Sequence, residues 1–502
     1  MNNIITSEGD DMEKARCNLS AVQKTGFVIL GALLMGFMWH VRGQHGFGAK
    51  WGMFAVGFVI ALFIYAFYGK RQKMNYELMP LAAAFAAITA GGWGTLNAQI
   101  SGVLKSSELF TGEAVERVTE ISTYSGWAIM LLLGFGWMPL FSIVIGSFFS
   151  KKKYEFKDYV IFVGVYYVTV LICNFTLSHY IFEVINPQAV ECCAEGLIDA
   201  GHDTSPWKAF VTNFGSAAWA KRIPYCRNYF QSIKVISSAV GALVSSVAVG
   251  VVLKDKFNAV FSSLSNFSCA IGISVASLFR AISTEERFVF KNIELPQYVA
   301  INSWELWEYF TGFIYGLLIC LVIVLLPRKF TDSEEDFEYC SMIKNDRFRI
   351  FYNEVFTVLF SFGVVLSRAI GLRAPRAFIE DDTVEIIVTV ILSVLCYFLF
   401  VRKLITKNMR EKALSTPFEE SPQNLAQRTL PIYIIVCALC YFFMGGKTNQ
   451  NILAIDYGTL FTEGGLQSLW SSGALTDIAL MLPTFILIMV LLKLLKSKKS
   501  DA

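Results

Sequence analysis

Long apolar stretches recur along this chain and restrict its fold more than any other feature. They hold roughly 20 residues each, the length that an α-helix needs to cross a hydrocarbon layer ~30 Å thick. Of the 502 residues, 55% are hydrophobic and only 17% are charged, whereas a soluble domain carries about 25% charged residues. This composition excludes a soluble enzyme, a disordered chain and a small secreted domain held by disulfides. The sequence therefore predicts an all-α, polytopic transmembrane helical bundle.

The apolar runs between charged breaks predict about 12 transmembrane helices. Their expected positions are 25–41, 49–68, 79–103, 126–149, 158–184, 231–253, 257–281, 304–327, 351–371, 384–401, 430–446 and 474–493. With the N-terminus placed in the cytoplasm, every inner segment carries Lys or Arg, and these segments hold more than half of the 43 basic residues. The positive-inside rule therefore predicts that both termini are cytoplasmic.

The predicted topology divides the chain near 253–257 into two six-helix halves. The expected regions are a cytoplasmic tail at 1–23, a first half at 24–253 with an outer loop at 185–230, a second half at 254–495 with cytoplasmic linkers at 328–350 and 402–429, and a tail at 496–502. The outer loop is interpreted either as a lid over an outward-facing cavity or as an ordinary connection. Because the first span lacks a small-residue cleavage pattern, we expect it to stay in the membrane.

The eleven cysteines do not follow the spacing of metal ligands. Most of them lie in predicted spans, where cysteine acts as a small apolar packing residue. Cys192, Cys193 and Cys226 share the outer loop, where the sequence leaves open whether a disulfide forms. No cofactor or metal is expected, and a net charge of only +3 gives no reason to expect a nucleic-acid partner.

Arginines at the ends of spans are the first candidates for function, since a charge within the hydrocarbon costs about 2.5–3.5 kcal/mol even on insertion scales. Arg42, Arg280 and Arg368 each close an odd-numbered span at its predicted outer end. A guanidinium is permanently charged and donates paired hydrogen bonds to carboxylate, sulfate or phosphate. Three arginines at one depth would surround an anion site. Alternatively, each would extend its charged end to the lipid headgroups.

The densest polar cluster, residues 39–52, joins the first two spans. It adds His40, His45 and Lys50 to Arg42, and its glycines permit a close approach of the backbone. Such a segment could hold an anion between cations and backbone N–H groups, and its histidines could couple binding to protons. The alternative is a tight outer turn with tryptophan anchors. Since no carboxylate lies nearby in sequence, the two histidines do not predict a metal site.

Glycines also concentrate at 89–102 in the third span, where they favour close helix packing or an unwound break. In a broken helix, Asn97 and Gln99 would offer hydrogen bonds to a solute, and Trp93 would offer an apolar or sugar-binding face. The alternative is helix packing without solute contact. A similar run at 134–139 predicts a kink in the fourth span.

Acidic residues are few near the spans. Glu305 and Glu308 share one face at the outer end of the eighth span, where they would bind a coupling cation or pair with the arginines of spans seven and nine. Alternatively, they only complement the positive end of a helix. His179 and Glu183, near the end of the fifth span, form a further candidate pair.

These features favour a secondary transporter for a small polar or anionic solute, such as a sugar acid or another organic anion, coupled to protons or sodium. The expected solute-binding residues are His40, Arg42, His45, Lys50, Trp93, Asn97, Gln99, Arg280 and Arg368, and the expected ion-coupling residues are Glu305 and Glu308. The expected partners are a small-molecule solute and the lipid bilayer, in a bacterial inner membrane.

Two other classes of function stay open from the sequence alone. The first is a membrane-embedded transferase that modifies a cell-surface glycan or lipid, for which His40, His45 or His179 would act as general base. The second is a channel or a scaffold. The absence of a predicted outer loop rich in His, Asp and Glu counts against the transferase.

Overall fold

The computed structural model of the protein describes residues 19–44, 48–68, 78–89, 123–220, 222–223, 226–283, 303–326, 421–444 and 477–497, together with the single positions 348, 391 and 395. Apart from turns and short connections these residues are helical, and they contain no β-strand. The all-helical part of the predicted fold class is confirmed.

The α-helices are numbered here in chain order. They are α1 (Ala21–Gln44), α2 (Gly48–Tyr68), α3 (Leu78–Thr89), α4 (Thr123–Phe135), α5 (Pro139–Phe149), α6 (Phe156–Phe175), α7 (Leu177–Ile185), α8 (Pro187–Asp199), α9 (Pro206–Thr212), α10 (Ala217–Ala220), α11 (Cys226–Val251), α12 (Lys256–Ser283), α13 (Ser303–Leu325), α14 (Ser421–Met444) and α15 (Leu482–Ser497). A π-helical turn, Asp477–Met481, leads into α15.

Among these helices, α1, α6, α11, α12 and α13 are long and apolar enough to cross a membrane. The pair α4 and α5 adds a sixth if it counts as one bent span, because the two helices meet at 46°. The predicted first, sixth, seventh and eighth spans coincide with α1, α11, α12 and α13. The predicted ninth span lies outside the described residues, as does the tenth apart from positions 391 and 395. The count of about 12 spans therefore stays a prediction.

Local side-chain caps determine where several helices begin. At the start of α1 the backbone N–H of Gln23 donates to Ser20 Oγ (3.2 Å), and the N–H of Ser20 donates to Gln23 Oε1 (3.0 Å). Glu155 and Asp158 form the same reciprocal box at the start of α6. Asp255 accepts a backbone N–H in the first turn of α12 (3.0 Å). Each cap satisfies donors that a helix leaves unpaired at its N-terminus.

Helix α13 lies in close contact with α1 on one side and α12 on the other. A Cβ atom built on Gly312 would lie 2.2 Å from the carbonyl oxygen of Met35 in α1. One on Gly272 of α12 would lie 2.9 Å from the carbonyl oxygen of Thr311. Glycine is therefore needed at both contacts, because any side chain would push the backbones apart. Helix α12 in turn packs on α4, α5 and α11.

The kink predicted at 134–139 is confirmed as the break between α4 and α5. Pro139 is the first residue of α5. A backbone N–H at this position has no partner within the helix, so proline costs no hydrogen bond there. Ser238 Oγ of α11 donates to the carbonyl oxygen of Gly136 at 2.8 Å, so an oxygen released by the break is satisfied. A Cβ on Gly134 would lie 2.4 Å from Ala270 Cα of α12. The break is thus packed against both neighbouring helices.

The fifth predicted span, 158–184, corresponds to a helix long and apolar enough to cross a membrane, but that helix is shorter than predicted. Helix α6 ends at Phe175, Thr176 leaves the helical region with φ −137° and ψ −96°, and α7 begins at Leu177. The freed backbone is satisfied locally, because the N–H of Thr176 donates to the carbonyl oxygen of Cys173 (3.3 Å).

The segment 185–230 is not an irregular loop, which corrects its predicted local structure. It holds α8, α9, α10 and the start of α11. Asn186 and Ser205 accept backbone N–H groups in the first turns of α8 and α9, each just before a proline. This pairing of a cap with proline at the first helical position is a strong start signal.

A disulfide between Cys193 of α8 and Cys226 of α11 ties this helical segment to the bundle, with the Cα atoms 4.5 Å apart. Cys192 is buried beside the bridge. Aromatic contacts add to the bridge, with the ring centre of Phe230 5.0 Å from that of Phe210 and 5.5 Å from that of Trp219. The open question of a disulfide in this segment is therefore answered by the Cys193–Cys226 pair.

We expect Gly312→Ala to lower stability, because the added methyl group lies too close to a backbone oxygen of α1. Forcing extra atoms into a packed contact costs about 1–3 kcal/mol. Gly164→Ala is the matched control, since nothing lies within 4 Å of its added Cβ and alanine favours helix by up to about 1 kcal/mol. Equal thermal unfolding of the two variants in detergent would contradict the close α1–α13 contact.

Quantitative thiol labelling of the denatured protein tests the disulfide. Reduction before labelling should expose two additional thiols in the wild type and none in the Cys193→Ser, Cys226→Ser variant. Loss of the bridge should also lower stability by about 2–4 kcal/mol. Identical labelling with and without reductant would show that the bridge does not form.

Candidate functional site

A buried ion pair joins the last turn of α1 to the second turn of α13. Arg42 Nη2 donates to Glu308 Oε2, and the two side chains are only 5% and 2% exposed. The two residues stand 266 positions apart in sequence. Sequence reasoning placed Arg42 with the solute and Glu308 with the coupling ion, and the structure makes each the partner of the other.

Two glycines make room for this ion pair. A Cβ on Gly52 of α2 would lie 2.1 Å from Arg42 Cγ, and one on Gly43 would lie 2.6 Å from Glu308 Oε1. Arg42 and Gly43 belong to the helical part of the 39–52 cluster, because α1 continues to Gln44. The close approach expected from these glycines is present, and it is an approach of side chains to helix backbones.

Aromatic and imidazole groups surround the guanidinium. Arg42 Cζ lies 5.3 Å from the ring centre of Trp39, a cation–π arrangement that favours the charged form. His40 Nε2 lies 2.8 Å from the hydroxyl of Tyr441 in α14, so α14 contacts the same end of α1. Arg42 Nε is buried and has no hydrogen-bond partner among the described residues. Among the described residues, the guanidinium therefore retains one donor without a partner.

An interior cluster of polar and aromatic side chains connects the ion pair with the α4–α5 break. The ring centre of Trp39 lies 6.4 Å from that of Trp137, in the break, and 6.0 Å from that of Tyr315. Tyr315 stands two turns beyond Glu308 on α13, roughly 10 Å away by helix geometry. Trp39 therefore lies between the break and Arg42.

The remaining predicted site residues have no described side chain. Residues His45, Trp93, Asn97, Gln99 and Arg368 lie outside the described residues. Three further residues have a described backbone but no described side chain. They are Lys50 in α2, Arg280 in α12 and Glu305 in α13. Of the expected set, the structure brings together His40, Arg42 and Glu308.

Trp39 and Tyr441 are absent from the expected set of site residues. Trp39 begins the 39–52 cluster, where it was interpreted as an interfacial anchor, whereas Tyr441 stands in an apolar run in which a buried aromatic residue is ordinarily part of the core. Their relation to the charges appears only when α1, α13 and α14 are placed together.

Within the described ranges, no group of three or more His, Cys, Asp and Glu side chains could hold a metal ion. His179, a general-base candidate of the transferase hypothesis, has both ring nitrogens engaged, Nδ1 with Tyr229 (2.6 Å) and Nε2 with the carbonyl oxygen of Asn174 (2.8 Å). It is therefore not poised to take a proton from a substrate in this arrangement.

A comparison of the chain with protein-family models, with curated proteins and with solved structures finds no match. The function must therefore be inferred from the residues themselves.

A double-variant cycle tests the ion pair. Arg42→Met or Glu308→Met alone should each destabilise the protein by about 3–5 kcal/mol, because one buried charge is left uncompensated. The stability loss of the double variant should be clearly smaller than the sum of the two single losses, because it leaves neither charge buried without a partner. Thermal or denaturant unfolding in detergent measures all three.

The exposed pair of Lys157 and Glu155 (2.8 Å) supplies the control, and Lys157→Met should change stability little. Strictly additive losses for Arg42→Met and Glu308→Met would show that the two charges do not interact.

Proposed function

We propose that the protein is a multi-pass secondary transporter of a bacterial inner membrane. Its solute is a small organic anion, and its transport is coupled to protons through Glu308. The buried ion pair between Arg42 and Glu308 is the observation that carries this proposal. A charge pair enclosed by apolar helices is costly to form and is a functional candidate by default.

The chemistry of Arg42 favours an anionic solute. A guanidinium offers five N–H donors in a planar fork, which suits carboxylate, sulfate and phosphate groups. Glu308 engages only part of that fork, and Arg42 Nε has no partner among the described residues. A solute anion could therefore use the same cation that Glu308 now neutralises.

Competition for Arg42 supplies the coupling. When Glu308 takes up a proton it loses its charge, and Arg42 is then neutralised best by an incoming anion. When the anion leaves, Arg42 draws Glu308 back to its ionised form, and the proton is released. Each ligand changes the affinity for the other by the same factor, as linkage requires. His40 of α1 is a further titratable group whose charge acts on Glu308.

The α4–α5 break supports an alternating-access mechanism. Discontinuous helices line the solute sites of many secondary transporters, where they supply free backbone groups and points of bending. Here the break contacts Trp39 through Trp137, and Trp39 contacts Arg42. Because Arg42 and Glu308 are buried, a solute reaches them only when the packing around α1 opens.

Ligand-dependent stabilisation followed by flux measurement tests this function. The purified protein is screened against sugar acids, sulfated sugars, dicarboxylates and phosphorylated donors, since a ligand at 100 times its Kd stabilises by about 2.7 kcal/mol. Anions that stabilise it are then tested in proteoliposomes with a lumenal pH dye. We expect tighter anion binding at pH 5.5 than at pH 7.5, and proton entry that follows the anion.

Three variants separate the roles of the two charges. Arg42→Ala should lose anion binding, whereas Glu308→Gln should keep binding, lose its pH dependence and lose proton flux. Arg222→Ala, which changes an exposed arginine, should behave like the wild type.

Full coupled uptake by the Glu305→Gln, Glu308→Gln double variant would contradict the coupling role. Binding of activated donors alone would favour the transferase, and anion current without proton flux would favour a channel.

A further inference from the structure

A cavity of about 360 Å³ lies at the C-terminal end of α6, between helices that do not carry the ion pair. Its walls include Phe175, His179, Tyr180, Glu183, Trp207 and Tyr229, from α6, α7, α9 and α11. The cavity lies where the chain breaks at Thr176 and side chains of α7 and α9 contact the last turn of α6. The cavity is therefore built by the segment that sequence reasoning treated as a continuous span and a loop.

The imidazole of His179 contributes no free donor to this cavity. His179 follows the end of α6, and burial lowers its pKa from the ordinary value of about 6.5, so the ring is neutral at neutral pH. Its Nε2 faces the carbonyl oxygen of Asn174 (2.8 Å), which only accepts, so Nε2 carries the hydrogen. Nδ1 is then the acceptor, and the hydroxyl of Tyr229 donates to it (2.6 Å).

Two further donors of the wall are also used within the protein. Trp207 Nε1 donates to the carbonyl oxygen of Phe175 (3.2 Å), and Thr176 Oγ1 donates to that of Ile172 (2.7 Å). Both oxygens belong to the last turn of α6, which the break leaves without helical partners. Capping this helix end therefore consumes the N–H and O–H groups that would otherwise face a ligand.

Hydrogen-bond acceptors and aromatic faces remain for a ligand. The carboxylate of Glu183 lines the cavity, and no basic group within the described part of the chain pairs with it. The oxygen of Tyr229 keeps its lone pairs, and the hydroxyls of Tyr180 and Ser205 can accept as well as donate. The C-terminal end of α6 adds partial negative charge.

We propose that this cavity binds an ammonium group, carried either by a small free molecule such as ethanolamine or choline or by a lipid headgroup. A primary ammonium group donates hydrogen bonds and does not accept them, whereas the quaternary group of choline has no N–H donor. The charge of either group is attracted to a carboxylate and to aromatic faces. His179, Trp207 and Thr176 have no N–H or O–H group left for an anion, and an anion would also meet the carboxylate of Glu183. This site does not depend on the transport proposal.

The position of the cavity is compatible with both sources. It lies at the end of α6, one of the helices able to cross a membrane. Tyr180 and Trp207 are 70% and 52% exposed, and such aromatics are typical of the headgroup layer. The disulfide between Cys193 and Cys226 joins α8, which supplies Val190 to the wall, to α11, which supplies Tyr229.

Equilibrium binding of radiolabelled choline and ethanolamine to the purified full-length protein tests the site. We expect saturable binding to the wild type, and a Kd at least tenfold higher for Glu183→Gln and for Trp207→Leu. Trp207→Phe should retain most of the affinity, which separates loss of the aromatic face from loss of the fold. Glu191→Gln removes an exposed carboxylate of α8 outside the cavity and should bind as the wild type does.

The two sources are distinguished by lipid retention. In nanodiscs containing phosphatidylethanolamine and phosphatidylglycerol, native mass spectrometry should show phosphatidylethanolamine bound to the wild type and lost from Glu183→Gln if the ligand is a headgroup. If only the free amines bind, the ligand is soluble. Wild-type binding by Glu183→Gln, preference for phosphatidylglycerol, or no saturable binding of either amine or lipid would overturn the proposal.

Discussion

The positive charge of Arg42 must be neutralised inside the helical bundle, and much of the packing follows from that requirement. Glu308 can reach it only if α1 and α13 approach to backbone contact, and Gly312 permits that approach. Gly43 and Gly52 then leave space for the two charged side chains. One electrostatic constraint therefore explains glycines on three helices, although glycine in a helix interior lowers helix stability.

Two helix breaks place unpaired backbone groups at defined positions, with different consequences. At 136–138 the break lies among α11, α12 and Trp39, so its packing is coupled to the ion pair. At Thr176 the break lies at a helix end, and side chains of α7 and α9 satisfy the released carbonyl oxygens. The first break could transmit motion, whereas the second creates a cavity poor in donors. In both cases the need to satisfy backbone groups in apolar surroundings decides the local structure.

The general nature of the fold and part of the candidate site were accessible from the sequence. Apolar length predicts the helices, and polar or charged groups at span ends place His40, Arg42 and Glu308 within a larger set of candidate residues. Start signals were also present at Asn186 and Ser205, each followed by proline, although the surrounding polarity led to the prediction of a loop. The break at Thr176 has no such signal, because neither proline nor glycine marks it, and a continuous apolar run hides it.

The sequence by itself determined that this is a helical protein suited to a membrane, with its charges concentrated between the apolar stretches. It did so because hydrophobic length and the cost of charge are local properties. Only the tertiary structure decided that Arg42 is paired with Glu308, that Cys193 rather than Cys192 bridges to Cys226, and that the donors around His179 are already in use. These are relations between residues far apart in the chain, and they depend on helix contacts that no local pattern encodes.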